Sequence, residues 1–544
     1  MQSRFSLINA GLYPETLPPC FISQDAKRAF RGLVSNLDTT QFHERRSEYV
    51  RYSGTKHDAS RRFFATPNIV SYFHIASFIW KNWRRFKENF ALSDYSIGAP
   101  ELMGEGAERA VKVPSLSELS KRASENLRYA PFVLRADIAQ CFPSIYTHSI
   151  AWAAHGIGPS KADTRKDSRD NVFNALDFFV RSGQSGNTRG VLIGPDAHRL
   201  IAEFVLCRID EELKAAVGNL IVGAVRHVDD YYIGLRTEYD AQSVLSHLRE
   251  VLAAYELNLN DHKTTIFSSL EPINDLWAQR LRDHTRFTMF GITHARLERA
   301  ISEAVEAANI IHSDSPIKIL MRALDEARIY KSQEWEYVER YAQRIVQKHP
   351  HAIDYTCLLV AKRKAIGRTV DVEGWTAVAE VIVRRSLALN HHHEVLWMVW
   401  LLLVCDIKPP ADMIEVLARS PNSHIRALLA QAHVEGRLER RPKLSLGSGL
   451  SSTDANWLVN LVARSSGFSK AAFSGSYAQE FEHLAQRGIR LIDFESHAAH
   501  IAHQENPAIS RTRYGYDDEG EDEEDDFPSE SFDSSEIDEN IFPF

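Results

Sequence analysis

The rhythm of apolar and polar positions changes twice along this chain. Residues 1 to roughly 130 mix basic helices with loops, and Arg61-Arg62-Phe63-Phe64-Ala65-Thr66-Pro67-Asn68 reads as a short strand stopped by a proline turn. From about residue 131 alternation takes over. Phe132-Val133-Leu134-Arg135-Ala136-Asp137 is a strand ending in an acid, followed by a turn at Cys141-Phe142-Pro143-Ser144 and a helix N-capped by Thr147. A glycine-rich loop, Gly183 to Pro195, leads to a helix capped by Asp196, in which Leu200, Ile201, Phe204, Val205 and Ile209 recur at helical spacing. Next come an apolar approach, Gly223-Ala224-Val225-Arg226, a tip, His227-Val228-Asp229-Asp230, and an aromatic exit, Tyr231-Tyr232-Ile233-Gly234, the pattern of a β-hairpin. A helix over Gln242 to Tyr255 and a turn and strand over Leu257 to Ile266 close this part, which predicts an α+β sheet with helices packed on one face. After about residue 290 strand signals nearly vanish. Trp335, Val338, Ala342 and Ile345, and the apolar run Val395 to Val404, predict stacked helix pairs without a fixed-period repeat.

The domain plan that follows is 1–130, 131–290, 291–505 and a tail over 506–544. With 544 residues, about two to four domains are expected. The longest apolar run, Val395 to Cys405, is too short to cross a bilayer, and no apolar leader opens the chain, so a cytoplasmic protein is expected. Cys20, Cys141, Cys207, Cys357 and Cys405 are scattered without a CxxC pair, which predicts reduced, mostly buried thiols rather than a disulfide framework or a zinc site.

Net charge is -8, but fourteen of the 72 acidic residues lie in 517–544, and the rest of the chain stands at +6. The tail is therefore expected to be disordered, with two functional readings: a nucleic-acid mimic, or a docking strip ending in Ile541-Phe542-Pro543-Phe544. Early basic clusters, Lys27-Arg28 with Arg31, Arg45-Arg46, Arg61-Arg62 and Arg84-Arg85, predict a surface attractive to phosphate. His391-His392-His393 reads as a polar helix end, because consecutive histidines on a helix do not converge on one ion.

The chemistry rests on carboxylates. Asp137 ends one strand and Asp229 and Asp230 sit at a hairpin tip 92 and 93 positions later, so adjacent central strands would bring the three together. Phosphoryl transfer to a hydroxyl uses two divalent cations about 3.5–4 Å apart, bridged by such acids. Hard oxygen ligands, including the carbonyl of Ile138, favour Mg²⁺, with Mn²⁺ able to replace it.

In this order the motifs resemble those of reverse transcriptases over roughly the first 290 residues. Arg135-Ala136-Asp137-Ile138-Ala139-Gln140-Cys141-Phe142 is similar to the first palm motif, and the resemblance implies that Phe142 excludes a 2′-hydroxyl. Arg189-Gly190-Val191-Leu192-Ile193-Gly194-Pro195 is similar to the second, in which Gly190 lets backbone approach nucleotide and template. His227-Val228-Asp229-Asp230 resembles the third, and Lys263 stands where a fourth-motif lysine faces the triphosphate as a proton donor. Arg61-Arg62 before Pro67-Asn68 is similar to the fingers segment that grips triphosphate, with Arg62 as the contact. Arg189 replaces a frequent glutamine and Gly194 a frequent serine.

Pro143-Ser144-Ile145-Tyr146-Thr147-His148-Ser149-Ile150 and Ile193-Gly194-Pro195-Asp196, with a helical C-terminal half in place of a thumb, resemble the bacterial antiphage reverse transcriptases of the abortive-infection and defence-associated groups. The resemblance implies fingers over 1–130, a palm over 131–290, deoxynucleoside triphosphates as substrates and a DNA product. An RNA template or companion non-coding RNA is implied as well, and some relatives dispense with a template or prime on a protein tyrosine. Exposed helix pairs leave room for a homo-oligomer or a partner reverse transcriptase, and no membrane is involved. A group II intron or retron type enzyme is the rival within the class, disfavoured because no Cys/His endonuclease motif is visible. A non-catalytic nucleic-acid-binding scaffold that senses infection is the rival outside it, and the intact acids argue against that reading.

Overall fold

Alternating side chains at 132–137 and 221–235 build a sheet at the centre of the molecule, and helices bury both of its faces. The computed structural model describes residues 2–55, 60–97, 99–112, 116–268, 276–313, 315–446 and 449–496. The expectation of a disordered acidic tail falls outside the described residues.

Near the N-terminus, β1 (Val50–Thr55) and β2 (Arg61–Thr66) pair antiparallel, with Val50 opposite Thr66 and Thr55 opposite Arg61. A second small ladder joins β3 (Glu101–Leu102) to β4 (Val111–Lys112). The central sheet contains β5 (Phe132–Asp137), β6 (Ile221–His227), β7 (Asp230–Leu235) and β8 (Thr265–Ser268), in the order β6-β7-β5-β8 with every pair antiparallel. Later in the chain β9 (Leu450–Ser451) and β10 (Phe473–Ser474) form a short parallel pair among helices.

One face of the sheet presents Leu134, Ala136, Ala224, Tyr231 and Ile233 to the main core, beneath the helices Asp196–Val217 and Glu238–Ala254. The opposite face was expected to be open. Instead, Leu119, Ala123 and Leu127, on and just after the helix Leu116–Asn126, pack with Ile97 onto Val133, Val225 and Tyr232 in a second, smaller cluster. The close approach depends on Gly223, where a Cβ would lie 2.0 Å from the Asn126 carbonyl oxygen. Tyr231 and Tyr232 are therefore both buried, on opposite faces, and neither offers its ring to a substrate.

Two capping expectations also change. The helix after the first motif begins at Ser149, with His148 and not Thr147 at the N-cap, after a single helical turn at Cys141–Ser144. Asp196 is the first residue of its helix, and its carboxylate accepts from the amides of Ala110 and Val111 and from Arg109, so it ties β4 to the helix rather than capping it.

The helices after residue 290 share the main apolar core with the N-terminal region. Trp335, Val338, Ala342 and Ile345 are buried, as is Val395 to Val404. The chain returns to its start at 491–493: the Ile22 amide donates to the Leu491 carbonyl at 3.1 Å, and the Asp493 amide to that of Cys20 at 2.8 Å. All five cysteines are buried, and none is in a disulfide. Among the described residues no helix is long and apolar enough to cross a membrane.

Candidate active site

β5, β6 and β7 place side chains in rows, because residues directly opposed across an antiparallel ladder project to the same side. His227 is opposed to Asp230, and Asp230 to Asp137, so these three line up across three strands at one end of the sheet. Asp229 is the next residue in the β6–β7 turn, and its carbonyl accepts the amide of Ile138 at 3.1 Å, joining the tip to the end of β5. Lys263 lies in a short 3₁₀ turn before β8, with Nζ 3.7 Å from an Asp137 carboxylate oxygen. The Asn260 amide donates to the Asp137 carbonyl at 2.8 Å, which fixes the approach of that turn.

Both turns at this end are strained. Val228 adopts φ 52° and Gln140 φ 48°, left-handed conformations that a β-branched residue such as Val228 rarely takes. What holds Val228 there is a buried group that the sequence reading passed over. Arg226, fully buried, donates from Nη1 to the Val228 carbonyl at 2.9 Å, from Nη1 and Nη2 to Glu203 at 3.0 and 2.9 Å, and from Nε to Asp210 at 2.8 Å. The Tyr231 hydroxyl donates to Asp210 at 2.7 Å. Burial pushes the Asp210 carboxyl up despite Arg226, whereas at Glu203 the same burial is outweighed by the Arg226 charge and the carboxyl ends below its ordinary value. The available signal was two acids seven residues apart on the mostly apolar face of the helix Asp196–Val217.

Gly190 borders the same region. At φ 88° a Cβ there would lie 3.0 Å from the Pro143 carbonyl oxygen, so the loop passes against the segment after β5 only with glycine. The Gly190 amide donates to Ile145 at 2.9 Å and the Val191 amide to the Phe142 carbonyl at 2.8 Å. The Phe142 ring is half-buried against the main core, and Arg189 is exposed. Ala65, in β2, donates its amide to the Ile193 carbonyl at 2.9 Å, which joins the β1–β2 hairpin to this loop.

Asp137, Ile138, Asp229, Asp230 and Lys263 thus form one group, and Phe142, Arg189 and Gly190 lie in the adjoining segments. Arg62 is half-buried on the face of β2 opposite Arg61. Among the described residues no group of three or more His, Cys, Asp and Glu side chains is placed to hold a metal ion, and Asp137 instead stands beside the Lys263 ammonium.

The early basic clusters are largely engaged with acids. Lys27 pairs with Glu105, Arg28 with Asp25, Arg45 with Glu480, Arg61 with Glu394 and Arg84 with Glu88. Nor is the histidine run a simple helix end: His392 Nδ1 accepts the Ser53 amide at 3.1 Å, and His393 bonds the Tyr52 hydroxyl.

The chain matches no protein-family model and no curated sequence. Among solved structures it is similar to telomerase from Candida albicans in complex with a TWJ fragment of telomeric RNA, at 12% identity and TM-score 0.28, covering 68% of this chain and 70% of that one. Telomerase from Candida tropicalis with the same kind of fragment gives 10% identity and TM-score 0.26, over 73% of this chain and 67% of that one. Likeness at this level is coarse and assigns no activity.

Proposed function

We propose that the protein is a DNA polymerase of reverse-transcriptase type, adding deoxynucleotides to a primer 3′-hydroxyl or a protein hydroxyl, with residues 1–130 as fingers and 131–290 as palm. The observation that carries this reading is the register Asp137 opposite Asp230, with Asp229 at the adjoining tip and Lys263 beside Asp137. Two strands deliver hard carboxylate oxygens to one end of a sheet, a donor set that suits Mg²⁺ or Mn²⁺. Asp137, Asp229 and Asp230, with the Ile138 carbonyl, would hold the ions. Bound divalent cations supply charge neutralisation on the triphosphate and ease deprotonation of the attacking hydroxyl.

The remaining residues act on the nucleotide. Lys263 keeps a proton at Nζ for the departing pyrophosphate, Arg62 contacts the triphosphate, and the Phe142 ring restricts the sugar. Gly190 permits backbone to approach the base pair, with Arg189 at its edge.

The bacterial antiphage role rests on resemblance at 143–150 and 193–196 and on the helical C-terminal half. It includes template-free or protein-primed synthesis, and a homo-oligomer or companion RNA, as part of the same reading.

The test is incorporation of labelled deoxynucleotides by the purified protein with Mg²⁺, in parallel with the Asp229→Ala, Asp230→Ala double variant. Loss of incorporation in the variant is expected, and undiminished incorporation refutes the site. Sequencing the product, with and without prior nuclease treatment, then separates template-free synthesis from copying of a bound RNA.

A further inference from the structure

Arg61, Arg45 and Lys27 are each matched by an acid, whereas one arginine of the central sheet is not. Arg135 lies two residues before Asp137 in β5, so both side chains project from the same face, about 6–7 Å apart along the strand. Across the ladders Arg135 is opposed to Tyr232 on β7 and to Thr265 on β8, in the row directly behind Asp137 and Asp230. Its guanidinium carbon stands 5.6 Å from the centre of the Tyr232 ring. Among the described residues no carboxylate forms an ion pair with Arg135, and its Nε is buried without a hydrogen-bond partner.

This face of the sheet is covered only in part. Tyr232 is buried with Ile97, Leu119 and Val225, whereas Thr265, on the other side of Arg135, is exposed. Arg135 is half-buried and so stands at the boundary between the covered and the open half. A partly desolvated charge with no counter-ion costs stability, and the same low dielectric strengthens its attraction for an anion that arrives from the open side. Stacking on Tyr232 offsets some of that cost and fixes the plane of the guanidinium, but leaves its donors without an acidic acceptor.

We propose that Arg135 holds a phosphodiester of the nucleic-acid strand whose 3′-hydroxyl reaches Asp137, at one of the last two linkages of that strand. The inference rests on the polymerase reading and adds to it the path of the strand that is extended. A planar fork of N–H donors suits the oxygens of a phosphate. Under that reading the triphosphate is met at the end of the sheet by the ions, Lys263 and Arg62, so a cation set one row back on the same face falls to the other reactant. The short step from Arg135 to Asp137 confines the contact to the end of the strand.

The experiment is fluorescence anisotropy of the full chain with 5′-labelled oligodeoxythymidine, without nucleotide or divalent cation, so that catalysis plays no part. Arg135→Gln should weaken binding about tenfold and reduce the slope of log affinity against log salt by about 0.7, as for one lost phosphate contact on a single strand. Arg135→Lys, which keeps the charge without the fork, should recover part of the affinity. A series of oligomers, each with one linkage neutralised as a methylphosphonate, then locates the contact. Neutralising one of the last two linkages should cost the wild type about tenfold and Arg135→Gln little, a coupling that a purely structural arginine over Tyr232 would not produce. The wild-type series is decisive even where a variant fails to fold. No linkage near the 3′ end standing out, equal losses in wild type and Arg135→Gln, or no binding by the wild type overturns the assignment. Incorporation with Mg²⁺ is read separately: coupling at the 3′ end without incorporation refutes the polymerase and leaves the phosphate site standing, and incorporation without coupling does the reverse.

Discussion

The guanidinium of Arg61, in β2, is gripped by the carboxylate of Glu394 at the start of the helix His392–Val404, with Nη1 to Oε1 at 2.7 Å and Nη2 to Oε2 at 3.0 Å. The side chains are 13% and 2% exposed, and the Thr55 hydroxyl donates to the same carboxylate at 2.9 Å. The pair therefore fixes the β1–β2 hairpin to a helix more than 300 residues later in the chain. Asn422 adds a second hold by donating to the Arg51 carbonyl at 2.8 Å.

Removing one partner from such a pair leaves a charge buried without its counter-ion. Glu394→Ala is expected to cost about 3–5 kcal/mol of stability, measured by denaturant unfolding. The Arg61→Ala, Glu394→Ala double variant should lose less than the sum of the single losses. Additive losses would show that the two side chains act independently. Because Arg62 is the next residue of β2, the single variants should also raise KM for deoxynucleotide more than they lower kcat.

The same junction makes stability depend on pH. Burial, then the Arg61 charge, holds the His392 imidazole down at about 4, and burial holds His424, which bonds the Thr66 hydroxyl at 2.9 Å, at about 3. In the unfolded chain both titrate near 6.5. Below that pH the unfolded chain takes up protons that the folded one refuses, so stability is lost as pH falls from about 6.5 to about 4 through His392 and on to about 3 through His424. Glu394 adds to the loss at the acid end: burial raises its carboxyl, but the Arg61 hydrogen bonds and charge outweigh that, and the net shift is downward. Tm measured from pH 7.5 to 4.5 should fall, and His392→Asn, which keeps an acceptor without a titrating ring, should fall less steeply. A flat profile for the wild type contradicts this account.

These contacts also mark what the sequence could and could not disclose. Asp137 at a strand end and Asp229-Asp230 at a hairpin tip were legible because alternation is local and a turn announces itself over four residues. The pairing of β5 with β7 followed once two apolar strands were adjacent in a sheet. Arg61 and Glu394 were not legible as partners, since nothing near either residue encodes a contact across most of the chain. Arg226 was passed over within the approach to the hairpin, whereas its burial is set by Glu203 and Asp210, on a helix whose inward face is mostly apolar. The second covered face escaped for a similar reason: the helix Leu116–Asn126 offers Leu119 and Ala123, too thin a stripe to say which surface it covers.

Lys263 stands 3.7 Å from Asp137, close enough to neutralise it and too far for a direct hydrogen bond. In the proposed role of proton donor to the leaving group, it should affect the chemical step more than binding. Lys263→Ala is expected to lower kcat about 10²-fold or more with a small change in KM, and Lys263→Arg to retain part of the rate. The check is steady-state incorporation at saturating and limiting nucleotide. A rise in KM at constant kcat would assign Lys263 to binding alone.

Arg226 gives the sharpest separation of folding from function. Its guanidinium satisfies Glu203 and Asp210 beneath the sheet and also holds the Val228 carbonyl at the tip that carries Asp229. Arg226→Ala strands two buried carboxylates, and a loss of about 3–5 kcal/mol is expected. Replacing the whole group, Arg226→Met with Glu203→Leu and Asp210→Leu, removes the charges together and should recover most of that stability, because apolar groups of similar volume need no counter-ion. It does not restore the hydrogen bond to Val228, whose φ of 52° then has no side chain holding it. The triple variant should therefore unfold near the wild-type midpoint yet incorporate nucleotide poorly. Wild-type incorporation by a stable triple variant would reduce Arg226 to a packing role, and failure of the triple to regain stability would show that the ionic group is needed for folding itself.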